Sequence, residues 1–137
     1  MKVVITYGTF DLFHEGHLNL FSRARALGDR LVVAVSTDEF NAIKGKRSYF
    51  GYHSRARIVS SCRYGDLVIP ETDWAQKRKD IHALGITTLV MGSDWTGRFD
   101  ELSDICEVVY LPRTEGISSS IIREDLVRRR SPQLSPS

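Results

Sequence analysis

Val3-Val4-Ile5-Thr6-Tyr7 runs into Gly8-Thr9-Phe10-Asp11-Leu12-Phe13-His14-Glu15-Gly16-His17, after which Leu18, Phe21, Ala24 and Leu27 recur at helical spacing. The β-branched run predicts a strand buried on both faces, and the periodic run predicts a helix closed by Gly28 as its C′ residue. A strand, a glycine-bounded loop and a helix in that order make the first half of a βαβ unit. Further nearly continuous apolar runs stand at Leu31–Ser36, Asp66–Ile69, Thr88–Met91 and Val108–Leu111. Between them lie helical patterns. One is capped by Ser54 and runs through Ile58 and Val59 towards Cys62. Another is capped by Asp73, carries Trp74, Lys77, Ile81 and Leu84, and ends at Gly85. A last one starts near Ser119 or Ser120 and passes Ile122 and Leu126. The alternation predicts an α/β fold: a single-domain, Rossmann-like, doubly wound five-stranded parallel sheet with helices on both faces. Ligands of such sheets sit beyond the carboxyl ends of the strands, at the switch in strand order. The loops after Tyr7, Ser36, Met91 and Leu111 are therefore the ones to read for chemistry.

The chain has 137 residues with 19 basic and 17 acidic side chains, a net charge of +2. This suits one core, and the domain is expected over residues 1–127. Arg128-Arg129-Arg130 and the Ser/Pro-rich segment to Ser137 read as a flexible basic tail over 128–137. No apolar run approaches the roughly 18 residues of a membrane span, and the N-terminus lacks a cleavage pattern, so a signal peptide and a membrane partner are not expected. Cys62 and Cys106 lie outside any CxxC pattern and read as free buried thiols of a cytoplasmic protein. The net charge is too small to imply nucleic-acid binding. Its distribution is uneven, however: Asn41 to Gly65 holds Lys44, Lys46, Arg47, Arg55, Arg57 and Arg63 and no acid. That block requires open solvent or an anionic partner.

Two familiar phosphate loops are absent. No two glycines are spaced as G-x-G, and Gly45-Lys46 is followed by Arg47, not Ser or Thr. The Gly8–His17 loop nevertheless favours an oligophosphate. Gly8 and Gly16 permit close backbone approach, and His17 stands at a helix N-terminus, where free N–H groups and the dipole attract anions. His14 and His17 are three apart and can face one ligand. The same histidines could instead cap the helix, bind a metal or serve a nucleophile, but HEGH lacks the four-residue HExxH spacing and no serine elbow is present. A second constellation follows the last strand, Arg113-Thr114-Glu115-Gly116-Ile117-Ser118-Ser119-Ser120. Its hydroxyls and amides suit β- and γ-phosphates, and Arg113 adds a planar fork. Each residue alone reads equally as capping or surface; two such loops at one sheet edge point to a triphosphate.

Gly8-Thr9-Phe10-Asp11-x-x-His14-x-Gly16-His17 together with Arg113-Thr114-Glu115-Gly116-Ile117-Ser118 resembles the HxGH nucleotidyltransferase superfamily, and within it the cytidylyltransferases. The resemblance extends in register from Met1 to about Arg123 and is greatest to the branch acting on glycerol 3-phosphate. It implies that Gly8, Thr9, Phe10, His14, Gly16, His17, Lys46, Arg63, Asp94, Arg113, Thr114, Gly116, Ile117, Ser118, Ser119 and Ser120 bind CTP. It places Asp11, Lys44, Arg55, Trp74 and Lys77 about the acceptor, makes His14, His17, Arg113 and Lys44 the catalytic set, and names Asp11 as the carboxylate nearest a metal. Ser119 and Ser120 stand where the family commonly has threonine. It also implies Mg²⁺ as cofactor and a homodimer.

The implied reaction is CTP plus sn-glycerol 3-phosphate giving CDP-glycerol and pyrophosphate, for a teichoic-acid or capsule-type polymer. A phosphate acceptor needs no general base; the obstacle is one anion attacking another, which positioning and charge neutralisation must overcome. Phosphocholine, phosphoethanolamine or another polyol phosphate are alternative acceptors, and a non-catalytic nucleotide-binding module is the reading from a different class.

Overall fold

The computed structural model describes residues 1–116 and 118–129. Five strands, β1 (Val3–Gly8), β2 (Arg30–Ser36), β3 (Leu67–Glu71), β4 (Thr88–Gly92) and β5 (Glu107–Leu111), form one parallel sheet in the order β3-β2-β1-β4-β5. Val3–Gly8 lies in register with Arg30–Val35, and Val4–Thr6 with Thr88–Val90. The chain first builds outward from β1 to β3, then returns to lay β4 on the other side of β1. The order switches there, so the carboxyl ends of β1 and β4 diverge and leave a crevice.

Alternation along the strands divides the core in two. Val4, Leu31, Val33, Val35 and Val90 face α1 (Glu15–Arg25) and α3 (Tyr52–Ser60) through Phe21, Ala24 and Val59. Ile5, Val32, Ala34, Leu89 and Met91 face α4 (Gln76–Leu84) and a 3₁₀ segment at Asp100–Asp104 through Ile81 and Leu102. The doubly wound parallel sheet expected from the alternation is the fold observed. A short helix, α2 (Asp38–Ile43), which the periodicity did not reveal, starts on Thr37, whose hydroxyl accepts from the Phe40 N–H. The last helix, α5, spans Ser119–Arg129. No helix among the described residues is long and apolar enough to cross a membrane.

Five local expectations are corrected. Helix α3 begins at Tyr52, before Ser54, because the Asp38 carboxylate reaches across the sequence to accept the Tyr52 N–H at 3.0–3.1 Å. Helix α4 begins at Gln76, after Trp74. Asp73 accepts the Ala75 N–H in a local turn, which holds Trp74 outside the helix. Residues 128 and 129, expected to belong to the tail, continue α5 and pair with Asp125 at 3.3 and 2.8 Å; residues 130–137 lie outside the described residues. Cys62 and Cys106 are free but only half-buried.

Gly28 is the fifth. It does not adopt the left-handed conformation of a C′ residue; that conformation belongs to Gly85, at φ 63°. Its constraint is space, since a Cβ at Gly28 would stand 2.8 Å from Val4 Cγ2 and 2.9 Å from the Lys2 carbonyl oxygen. The turn entering β2 is thereby packed onto the start of β1. Gly28→Ala is expected to lower unfolding free energy by roughly 1–3 kcal/mol in urea titration, the usual cost of overpacking. An unchanged midpoint would show that this turn yields freely.

Candidate active site

A cavity of about 510 Å³ opens over the carboxyl ends of β1, β4 and β5, where the strand order switches. Its floor is the Gly8–His17 loop. Phe10 and Leu12 hold positive φ of 52° and 49°, conformations that cost a side-chain-bearing residue about 1–3 kcal/mol. Burial of the Phe10 ring offsets this: it packs edge-on against Phe21 at 4.9 Å and against His17 at 5.6 Å. A Cβ at Gly8 would come within 2.8 Å of that ring, so the glycine serves the close approach of Phe10 as well as leaving the loop open.

The two imidazoles cap α1. His14 Nδ1 accepts the Gly16 N–H at 2.9 Å, and His17 Nδ1 accepts the His14 N–H at 3.2 Å. The rings stack with centroids 3.9 Å apart. An accepting Nδ1 must be unprotonated, so the proton of each neutral ring resides on Nε2. Burial keeps His17 neutral, its pKa lowered to about 3, with the charge on His14 adding to the effect. Burial, and then the Arg113 guanidinium, lower that of His14. The pair therefore presents two neutral N–H donors in a stack too tight to hold two charges. Capping, set apart from ligand binding as an alternative in the sequence, uses only Nδ1 of each ring, so the two roles do not exclude one another.

The opposite wall is the loop from β5 to α5. Thr114 is held by Asn19 Nδ2 at 2.9 Å, and Ser118 Oγ caps α5 by accepting the Ile121 N–H at 3.2 Å, which leaves its own proton free to donate. The Ser119 hydroxyl is committed: it donates to the Asp11 carbonyl at 2.5 Å, so it positions the loop and is not a phosphate donor as expected. Arg113 pairs with Asp94 at 3.2 Å, both more than half exposed, a contact weak enough for a phosphate to displace.

Asp11 is 3% exposed and fully engaged. Its carboxylate accepts the Tyr49 and Phe50 N–H groups at 2.6 and 3.0 Å and pairs with Arg123 at 2.9 Å. It fastens the basic loop and α5 to the floor, which corrects its reading as the carboxylate nearest a metal or acceptor. Lys44 and Lys46 reach the cavity from that loop; burial lowers the Lys44 pKa, against the pull of Glu71. Lys77 lines the cavity too, yet its ammonium is already paired with Glu71 at 3.0 Å.

Gly8, Thr9, Phe10, Asp11, His14, Gly16, His17, Lys44, Lys46, Trp74, Lys77, Asp94, Arg113, Thr114 and Ser118–Ser120 thus converge on one cavity. Gly116, at φ 80°, shapes the turn without lining it, and Ile117 lies outside the described residues. Arg55 does not belong to the site. Its side chain is buried, bonded to the carbonyls of Thr9, Ser36 and Phe50 and to Asp38, a strut beneath the loops. Arg63 lies in the turn between α3 and β3, at the amino end of the sheet and away from the cavity. The basic block divides accordingly: Lys44, Lys46 and Arg47 face the cavity, and the rest do not. Glu71, Trp95, Phe99 and Arg123 also line it and were not anticipated. Glu71 at the carboxyl end of a strand was a signal available in the sequence; the aromatic pair was not, since the turn after β4 has no periodicity.

Among the described residues no three His, Cys, Asp or Glu side chains gather to hold a metal. Asp11 and Glu71 are buried and paired, whereas the pairing of Asp94 with Arg113 is exposed and displaceable, so Asp94 is the cavity carboxylate best able to serve one. That donor set fits an Mg²⁺ carried by phosphates, which keeps its waters and needs few protein ligands.

A family model described as cytidylyltransferase-like matches residues 5–125. This chain belongs to that family. It is 56% identical over 126 residues to the glycerol-3-phosphate cytidylyltransferase of Staphylococcus aureus, spanning 92% of this chain and 96% of the relative. To the enzyme of the same name from Bacillus subtilis it is 59% identical, spanning 92% and 98%. A lipopolysaccharide core biosynthesis protein from Thermoplasma volcanium shares the fold, with a TM-score of 0.71 at 23% identity over 84% of this chain and 99% of that one.

The backbone contacts at His14 and His17 predict their state directly. Nitrogen-15 spectra of labelled histidine at pH 6 should show both as neutral Nε2–H tautomers. Because the folded chain refuses protons that the unfolded chain binds below about pH 6.5, these two groups make stability fall as pH is lowered through that range. An imidazolium at either position at pH 6 would contradict the assignment.

Proposed function

We propose that this chain transfers the cytidylyl group of CTP to the phosphate of sn-glycerol 3-phosphate, giving CDP-glycerol and pyrophosphate. The observation that carries this reading is identity of 56–59% across nearly the whole chain with two enzymes named for that reaction, joined to a cavity holding the residues it requires. The triphosphate lies between the His14–His17 pair and the Arg113–Ser120 loop. An oxygen of the acceptor phosphate attacks the α-phosphorus, a new P–O bond forms, and the bond to the β-phosphate oxygen breaks as pyrophosphate leaves. The acceptor is already ionised at neutral pH, so no base withdraws a proton.

The chain's own contribution is charge and alignment. Nε2–H of His14 and His17 donate to the oxygens that gain charge at the α-phosphorus. Arg113, freed from Asp94, and the Ser118 hydroxyl hold the departing pyrophosphate, Lys46 contacts the nucleotide, and Lys44 neutralises the acceptor. Asp94 is the carboxylate that would hold an Mg²⁺, which would supply further neutralisation of the CTP phosphates. The enzyme works in the cytoplasm as a homodimer supplying a glycerol-phosphate surface polymer. The unpaired outer edge of β3, where Leu67 is 46% exposed, supports the dimer.

Pyrophosphate release with CTP or ATP and a panel of phosphorylated alcohols tests the reaction. CTP with sn-glycerol 3-phosphate is expected to be the preferred pair; equal or faster turnover with ATP, or with a different acceptor, would overturn the reading. In the same assay His17→Ala should lower kcat about a hundredfold or more, as loss of a preorganised donor does. Near-normal turnover in the folded variant would remove His17 from the chemistry.

A further inference from the structure

Lys77 stands in the first turn of α4 with its side chain 7% exposed. Its ammonium lies 4.5 Å from the centroid of the Tyr7 ring, 4.9 Å from that of Phe99 and 6.0 Å from that of Trp74. The Glu71 carboxylate, 4% exposed, closes the arrangement at 3.0 Å. Each ring comes from a different element: β1, the turn after β4, and the loop before α4. The Tyr7 ring is fixed by its hydroxyl, which donates to Asp80 at 2.7 Å. Trp74 is braced edge-on by Phe40 at 5.1 Å. Aromatic faces and a carboxylate gathered round one point make the chemistry that binds a quaternary ammonium ion. In this chain a resident lysine fills that point.

We propose that Lys77 determines acceptor specificity by occupying an aromatic cage, so that phosphorylated alcohols with a cationic tail are barred and those with a neutral polyol tail are admitted. This rests on the cytidylyl transfer proposed above. A cationic tail meets three obstacles. The ring faces are already in use, the single carboxylate is already paired, and Lys44 adds a second positive charge nearby, its ammonium 4.6 Å from the centroid of the Phe40 ring that braces Trp74. With Glu71 neutralised, the surplus charge favours the acceptor's phosphate and repels an ammonium. Lys77 also lines a second cavity of about 390 Å³ with Trp95, Phe99 and Leu102, so shortening it opens space on both sides. A phosphate-binding role alone would give Lys77 no reason to be buried among rings and paired with a carboxylate.

The test is Lys77→Ala, which leaves the three rings and Glu71 as an empty cage. Tetramethylammonium is the binding probe, read by thermal shift and calorimetry, and the acceptor ratio is read by pyrophosphate release. Tetramethylammonium should stabilise Lys77→Ala and leave the unaltered chain unmoved. The kcat/KM ratio of phosphocholine to sn-glycerol 3-phosphate should rise about tenfold or more, as expected for a cation on desolvated aromatic faces. A loss of activity on all acceptors alike, with no response to tetramethylammonium in the folded variant, would overturn the proposal. Removing one partner of a buried pair is costly. Should Lys77→Ala not fold, Lys77→Ala/Glu71→Gln keeps the rings without the stranded charge and must show the same responses, weaker in size, or the proposal fails. The binding readout needs no turnover, so inactivity of the unaltered chain on CTP and sn-glycerol 3-phosphate would sink the proposed reaction while tetramethylammonium still judges the cage.

Discussion

Helix α1 is closed at its start by two imidazoles in place of the usual hydroxyl or carboxylate, and the cavity takes its chemistry from that substitution. Because His14 accepts from Gly16 and His17 accepts from the His14 backbone, both rings are oriented by main chain, not by other side chains. Nothing in the arrangement depends on a proton being gained or lost. Two neutral donors are delivered to the crevice at the strand-order switch, beside the helix N-terminus, with their tautomers decided by geometry. The strained turn that brings them there is stabilised by the burial of Phe10, whose ring touches both His17 and Phe21.

Around this floor the loops are joined by one carboxylate. Asp11 holds the backbone of residues 49 and 50 and the side chain of Arg123, while its carbonyl receives Ser119. The loop bearing Lys44 and Lys46 and the helix that follows the serine-rich turn are therefore fixed to the same residue. Charge is arranged with similar division of labour. Arg55 is spent inside the fold, joining three carbonyls beneath the site, whereas the lysines of the same basic block are left for anions. Asp94 keeps Arg113 in place through an exposed contact that an incoming phosphate can replace.

Much of this was legible in the order of residues. The five strands and their parallel arrangement follow from short β-branched runs alternating with helical periods, and both loops of the cavity follow from their position after β1 and β5. Helix starts were less legible, because caps act across the chain: Asp38 serves α3 from fourteen residues away, and no local pattern records it. Residue roles failed for a related reason. A carboxylate or guanidinium in a motif looks the same whether it meets substrate or backbone, and Asp11, Arg55 and Ser119 turn out to meet backbone. The surroundings of Lys77 are the clearest case, since three rings from distant parts of the chain converge on it only after folding.

The central claim is that His14 and His17 act as hydrogen-bond donors and the acceptor phosphate attacks CTP directly. With Nδ1 occupied by backbone and the proton on Nε2, neither ring has a free lone pair to take the cytidylyl group. The most direct measurement is the stereochemical course at the α-phosphorus, using CTP carrying sulfur at that atom in one configuration. A single in-line displacement predicts inversion in the CDP-glycerol product. Retention would mean two displacements through a nucleotidylated side chain, and would contradict this account.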